Sequence, residues 1–189
     1  MDVRQIVVIL KLNKGTSFPQ WDFSQPFNII NEQIIDDDTK LVTVEIVTTN
    51  NTSITLEYSG KTTQETIVDA AGTILKDQSL VVENILVNDI KIELLAIKDY
   101  LKFVPEYTAS RIKYAEEHGI DLSKEIYTDH MYDNGIWTFT FERPFFLWYN
   151  KVLMALIDNS ETNVWIKRSH LGLPGNDTLT RLDSLLEKL

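Results

Sequence analysis

Asn134-Gly135-Ile136-Trp137-Thr138-Phe139-Thr140-Phe141-Glu142-Arg143-Pro144-Phe145-Phe146 opens on a turn signal, alternates aromatic with polar residues, and is then stopped by a proline. Trp137, Phe139 and Phe141 fall on one side, and Thr138, Thr140 and Glu142 on the other. That period of two is the pattern of a half-buried strand with a heavy inner face and a wet outer one. Three aromatic rings at successive inward positions bury more area than any other strand in this chain can offer. Read alone, such a row is also a ligand platform. The apolar faces of the flanking segments give it something to close against, which makes burial the stronger reading.

Working outward, residues 3–12 alternate loosely and read as a first strand, with Val8, Leu10 and Leu12 set against Val7, Ile9 and Lys11. Residues 13–33 hold Pro19, Trp21, Phe23, Pro26 and Phe27 among polar residues, which predicts a long connection pinned down by its aromatics. From Leu41 to Thr49, Val42, Val44 and Ile46 share a face, and after the cluster Thr49-Asn50-Asn51-Thr52 so do Ile54, Leu56 and Tyr58. The pair reads as a β-hairpin across an Asn-rich turn. Ile67-Val68 and Ile74-Leu75 flank a second turn at Asp69–Gly72, and Leu80–Val87 with Ile90, Ile92 and Leu94 make a further hairpin across Asn88-Asp89.

The character changes near residue 105. Thr108 or Ser110 can cap a helix running to His118, with Gly119 at the left-handed position after it. Residues 121–133 are polar and irregular. Phe146, Tyr149, Leu153 and Leu156 have helical spacing, so 145–157 reads as a short helix, although another strand also fits. Asn163–Lys167 reads as a last strand. After the Gly/Pro break at 171–175, a final helix carries Leu179, Leu182, Leu186 and Leu189 on one stripe.

Many short antiparallel strands with turns every eight to twelve residues favour a mainly β protein. The expectation is an antiparallel β-sandwich or jelly roll with one inserted helix near 108–118 and a C-terminal amphipathic helix. Residues 1–158 would form the sandwich domain and residues 159–189 an extension ending in a docking helix.

With 189 residues, 43% hydrophobic and 10% aromatic, the chain can bury a real core. A net charge of −10 argues against a nucleic-acid binder, which must neutralise phosphates with clustered Lys and Arg. No run approaches the apolar length of a membrane span, and residues 1–5 lead directly into a strand-like run, so neither membrane insertion nor a signal peptide is expected. The absence of cysteine removes disulfides, thiolate metal sites and cysteine nucleophiles, and fits synthesis in a reducing cytoplasm.

Catalytic signatures are missing: no phosphate-binding Gly-rich loop, no G-x-S-x-G elbow and no H-E-x-x-H pair. His118, His130 and His170 lie far apart, and each reads more readily as a surface or helix-end residue than as a metal ligand. A non-enzymatic role is therefore expected, with no cofactor save Ca²⁺ at one acidic cluster. That cluster, Asp36-Asp37-Asp38, is either a solvated turn or a set of hard oxygen ligands for Ca²⁺, with Asp69 and Asp77 as further donors. Trp21, Trp148 and Trp165 lie outside the aromatic strand and are either packing residues or stacking faces, Trp148 and Trp165 being the candidate glycan contacts. The stripe Leu179, Leu182, Leu186 and Leu189, with Trp21 and Phe23 from the aromatic connection, is the candidate docking surface for a partner subunit.

Tyr58-Ser59-Gly60-Lys61, Asp69-Ala70-Ala71-Gly72-Thr73-Ile74 with Asp77, Phe103-Val104-Pro105-Glu106-Tyr107, and Asn134 to Phe141 with Pro144 and Trp148 resemble uncharacterised structural proteins of large tailed bacteriophages, especially marine ones. Those in turn resemble the β-sandwich of calcium-dependent carbohydrate-binding modules. The likeness covers about residues 40–150. Thr108-Ala109-Ser110 stands where such phage proteins continue with a further proline and a tryptophan. The resemblance implies a virion component of the tail, neck or capsid surface, assembled as a homo- or hetero-oligomer with other structural subunits. The alternative is a carbohydrate-binding module for host-surface or decoration glycans.

Overall fold

A computed structural model describes Val3, residues 5–47, 52–122 and 128–159. The chain divides into two units, Met1–Trp148 and Tyr149–Leu189, and every described strand lies in the first.

That unit is mainly β and antiparallel, as the period-two segments predict. One sheet is built on β1 (Ile6–Asn13), which pairs with β4 (Thr39–Ile46) on one side and β8 (Ser79–Val87) on the other. β3 (Phe27–Ile34) extends it beyond β4, while β9 (Ile90–Ile92) and β11 (His130–Met131) both pair with β8. The second sheet runs β10 (Leu101–Pro105), β12 (Gly135–Thr140), β5 (Ser53–Ser59) and β2 (Gln20–Phe23). A short hairpin of β6 (Thr66–Val68) and β7 (Ile74–Asp77) stands apart from both.

The core lies between the two larger sheets. Ile6, Val8 and Leu10 of β1 and Val42 and Val44 of β4 are inaccessible, as are Trp137 and Phe139 of β12. β12 is internal to its sheet: Trp137 stands beside Phe103 and Leu56, and Phe139 beside Leu101 and Ile54. The buried Trp137 indole is satisfied by donating from Nε1 to the Thr128 carbonyl at 3.2 Å. Truncating Phe139 to alanine would cost about 3–5 kcal/mol, because packed neighbours only partly refill the void. Gly135 is required by close approach, since a Cβ there would lie 2.4 Å from the Val104 carbonyl oxygen.

Helix α1 (Ala109–His118) starts where the sequence places it. Thr108 Oγ1 accepts from the Arg111 N–H, and Gly119 closes the helix at φ 65°. Helix α2 (Phe145–Asn159) follows Pro144, as the helical spacing predicts. Its first turn sends Phe145 and Trp148 into the first unit's core, where Phe145 meets Phe141 at 5.4 Å between centroids and Trp148 meets Tyr100 at 4.8 Å. The hairpin across Asn88-Asp89 forms as expected, with both turn residues left-handed at φ 49° and 66°.

Two expectations are corrected. Residues 13–33 are not one long connection, because they contain β2 and most of β3. β3 escapes a pattern search because seven of its eight residues are exposed and a bulge between Ile29 and Asn31 breaks its alternation. The segments 41–49 and 54–58 are not a hairpin either: β4 pairs with β1 and β3, whereas β5 pairs with β12 and β2 in the opposite sheet. An alternating strand followed by a turn cluster looks the same locally whether the chain folds back or crosses over. The predicted strand at 163–167 and the helix over 176–189 lie outside the described residues.

Candidate functional site

Two surfaces of the first unit carry features that folding alone does not use. The first is the free edge of β3. Among the described strands β3 pairs only with β4, so its other edge presents unpaired backbone donors and acceptors. Register shows how its side chains point. Ile29 stands opposite Val44, Glu32 opposite Val42 and Ile34 opposite Lys40, so all three share the face that β4 turns toward the core. Yet Ile29 is 49% exposed and Ile34 75%, while Val42 and Val44 are inaccessible. Among the described residues, aromatic cover reaches β3 at Phe27, where Phe23 and Trp21 of the four-residue β2 bring their rings to 5.6 and 5.7 Å. Beyond Phe27 the larger sheet overhangs the smaller, leaving Ile29, Ile30, Ile34 and Ile35 open to solvent. Glu32 is held on this overhang by Lys40 at 2.6 Å.

The second is a polar network built where the turns after β1 and β5 meet the start of β8. Gly60, at φ 80°, turns the chain out of β5, and Thr62 caps a 3₁₀ turn over Thr63–Glu65. The buried Glu65 carboxylate accepts the N–H groups of Thr16 at 2.7 Å and Ser17 at 3.0 Å, and both their hydroxyls at 2.8 and 2.9 Å. Gly15 allows this approach, since a Cβ there would fall 2.1 Å from the Glu65 carbonyl oxygen. The Ser17 N–H, with the other three donors, outweighs burial and holds the Glu65 carboxyl down at about 2. Gln78 links the network inward, donating from Nε2 to the Ser17 carbonyl at 3.0 Å and accepting from the Tyr58 hydroxyl at 3.1 Å. Burial, and then the charges of Asp77, Asp133 and Glu65, push the Tyr58 phenol above its ordinary range.

Lys61 completes the network. Its Nζ donates to Asp77 Oδ1 at 2.7 Å, the Gln78 carbonyl at 2.9 Å and the Tyr132 carbonyl at 2.6 Å. An ammonium has three protons, and here all three are used, so Lys61 is a strut and not a nucleophile. Asn134 grips the same residue through its backbone, accepting from the Lys61 N–H at 2.8 Å and donating to its carbonyl at 3.0 Å. Above this floor opens a cleft of about 600 Å³ between the 3₁₀ turn, β7, the start of α1 and the β11–β12 turn.

The residues singled out by sequence are not brought together. Asp36–Asp38 form the β3–β4 turn, where Asp36 Oδ1 accepts from the Asp38 N–H at 2.8 Å and Asp38 pairs with Lys76. Asp69 Oδ1 is occupied by the N–H groups of Ala71 and Thr73 in the β6–β7 turn, and Asp77 by Lys61 and Thr66. Among the described residues no three His, Cys, Asp or Glu side chains converge as a metal site requires. Trp148 is 3% exposed and packed between Tyr100, Phe139 and Phe145, so it offers a sugar no face. Phe23, expected at a docking surface, is a core residue, while Trp21 is half-buried beside β3. Trp165, Leu179, Leu182, Leu186 and Leu189 lie outside the described residues, as does His170.

Sequence reasoning missed the network. Gly60–Glu65 reads only as a polar connection, and Lys61 enters the reading solely within Tyr58-Ser59-Gly60-Lys61, a stretch that carries the resemblance but assigns it no role. The one local signal is Gln78-Ser79, two polar residues at the head of an apolar strand, both buried. No protein-family model matches the chain, and neither curated proteins nor solved structures yield a match. No described helix is long and apolar enough to cross a membrane.

Proposed function

We propose that the chain is a non-enzymatic structural protein that docks on neighbouring subunits, and that its first docking surface is the free edge of β3. The observation that carries this is the overhang: an unpaired edge strand with Ile29, Ile30, Ile34 and Ile35 in water. Sheets in monomeric proteins protect such edges with charges, bulges or cover, because an unpaired strand templates pairing with another chain. The bulge after Ile29 leaves Asn31–Ile34 as the straight stretch on which an incoming strand can pair. A second copy of the same chain is the simplest neighbour, since antiparallel pairing of β3 with itself across a two-fold axis needs only one surface. A place in a bacteriophage particle, in the tail, neck or capsid surface, is supported by the resemblance of residues 40–150.

Sedimentation of the full chain against an Ile30→Lys/Ile34→Lys variant tests the edge. Both side chains are exposed, so the fold should tolerate the change. The wild type should form a concentration-dependent dimer that the variant loses at equal thermal stability. A dimer that survives in the variant would place the contact elsewhere.

A further inference from the structure

The free edge of β3 does not offer its backbone evenly, and the unevenness limits how a second copy can seat on it. In an antiparallel pair a residue turns both its N–H and its C=O toward one neighbouring strand, and the next residue turns both the other way. The Lys14 N–H donates to the Asp38 carbonyl at 2.8 Å, so Asp38, Lys40 and Val42 direct their backbone groups to the β1 side. Thr39, Leu41 and Thr43 therefore direct theirs to β3. The Ile35 N–H donates to the Thr39 carbonyl at 2.9 Å, which gives the same phase from the other strand. Asn31 stands opposite Thr43 and Gln33 opposite Leu41, so Asn31, Gln33 and Ile35 use their backbone groups on β4. Glu32 and Ile34 turn theirs out to the open edge. The bulge between Ile29 and Asn31 interrupts this phase on one side. On the other, Asp36 donates its N–H back to the Thr39 carbonyl at 3.3 Å within the turn.

Two-fold symmetry then leaves few registers. Antiparallel pairing of β3 with itself needs an axis perpendicular to the sheet, and that axis sets one residue opposite its own copy. Centred on Glu32, the pairing places two carboxylates directly opposite each other, which is destabilising, and runs Ile34 against the bulge. Centred on Ile34, it places Glu32 opposite Asp36, another pair of like charges, where the Asp36 N–H is already engaged. Centred on Gln33, it places Glu32 opposite Ile34 of the second copy on both sides of the axis, and each such pair exchanges two backbone hydrogen bonds. Like residues then meet only on the diagonals. Each Glu32 is held by Lys40 of its own chain at 2.6 Å, and the two Ile34 side chains, 75% exposed in the single chain, come within reach of one another. We propose that two copies of the chain pair through β3 about a two-fold axis at Gln33, joining their larger sheets into one. This register rests on β3 being the docking edge.

The chain has no cysteine, so a single introduced thiol reports the register without interference. Gln33 is exposed, and opposite its own copy it forms a non-hydrogen-bonded pair with Cα atoms about 4.5 Å apart, within the span of a disulfide. Asn31 and Ile35 stand opposite one another in this register, so each lies about 14 Å from its own copy, beyond that span. Full-length Gln33→Cys, Asn31→Cys and Ile35→Cys chains are oxidised with glutathione disulfide at a concentration where the wild type sediments as a dimer. Covalent dimer is followed by non-reducing electrophoresis. Gln33→Cys should cross-link at least about tenfold faster than either of the others. If the wild type is dimeric and Gln33→Cys links no faster than Asn31→Cys or Ile35→Cys, or does not link, the register is overturned and the β3 edge remains a separate question for the lysine variants. A wild type that stays monomeric at every concentration overturns the register and the docking edge together.

Discussion

The Glu65 carboxylate takes four hydrogen bonds from Thr16 and Ser17, and this sets a measurable pH dependence. Its folded pKa, at about 2, lies below the ordinary value of 4.5. A depressed carboxyl pKa means that the unfolded state binds the proton more readily, so the stabilisation is complete above pH 4.5 and is lost as pH falls through about 2. Glu65→Gln should therefore cost about 1.5–3 kcal/mol at neutral pH, the usual worth of hydrogen bonds to a charged group. Measured by chemical denaturation, the gap between wild type and variant should close as pH falls from 4.5 to 2. A gap that stays constant over that range would show that the carboxylate charge contributes nothing. Lys61 behaves differently: its removal would leave Asp77 with only the Thr66 hydroxyl and no cation, and the Tyr132 carbonyl without its donor, so losing these charge-assisted bonds at a partly buried site should cost about 1.5–3 kcal/mol.

At the scale of elements, the β8–β9 hairpin turns through two left-handed residues, Asn88 and Asp89. Asparagine followed by glycine suits such a turn best, because glycine has no Cβ to strain. Asp89→Gly should therefore raise stability by up to about 1 kcal/mol, and Asp89→Val should lower it by about 1–2 kcal/mol, both read as shifts in Tm. Opposite signs from these would mean that the turn is held by something other than its backbone. The same scale explains which elements are legible in sequence. β1, β4, β5 and β12 each bury one face, so Val8 against Ile9 or Phe139 against Thr138 alternate and the strand is plain. β3 buries almost nothing, and its apolar residues therefore follow no period. The candidate site was hidden for another reason. Thr16 and Glu65 are 49 residues apart, and Lys61 and Tyr132 are 71 apart. Such pairs are joined by topology, and no local pattern announces them. The aromatic strand is the opposite case, because its burial depends on its own alternation.

For the molecule as a whole, the two sheets are of unequal width, and that inequality leaves β3 uncovered past Phe27. A net charge of −10 opposes self-association through long-range repulsion, so pairing of two copies should strengthen as salt screens it. The apolar overhang supplies the attraction, since each isoleucine taken from water contributes about 1.5–3 kcal/mol when fully buried. The most direct measurement is hydrogen exchange of the β3 backbone amides as protein concentration is raised at fixed salt. The amides of Asn31–Ile34 that point away from β4 should gain protection together with dimer formation, while those of α1 stay unchanged. Exchange of those same amides at the free rate, at every concentration and in a chain that remains monomeric, would contradict the account.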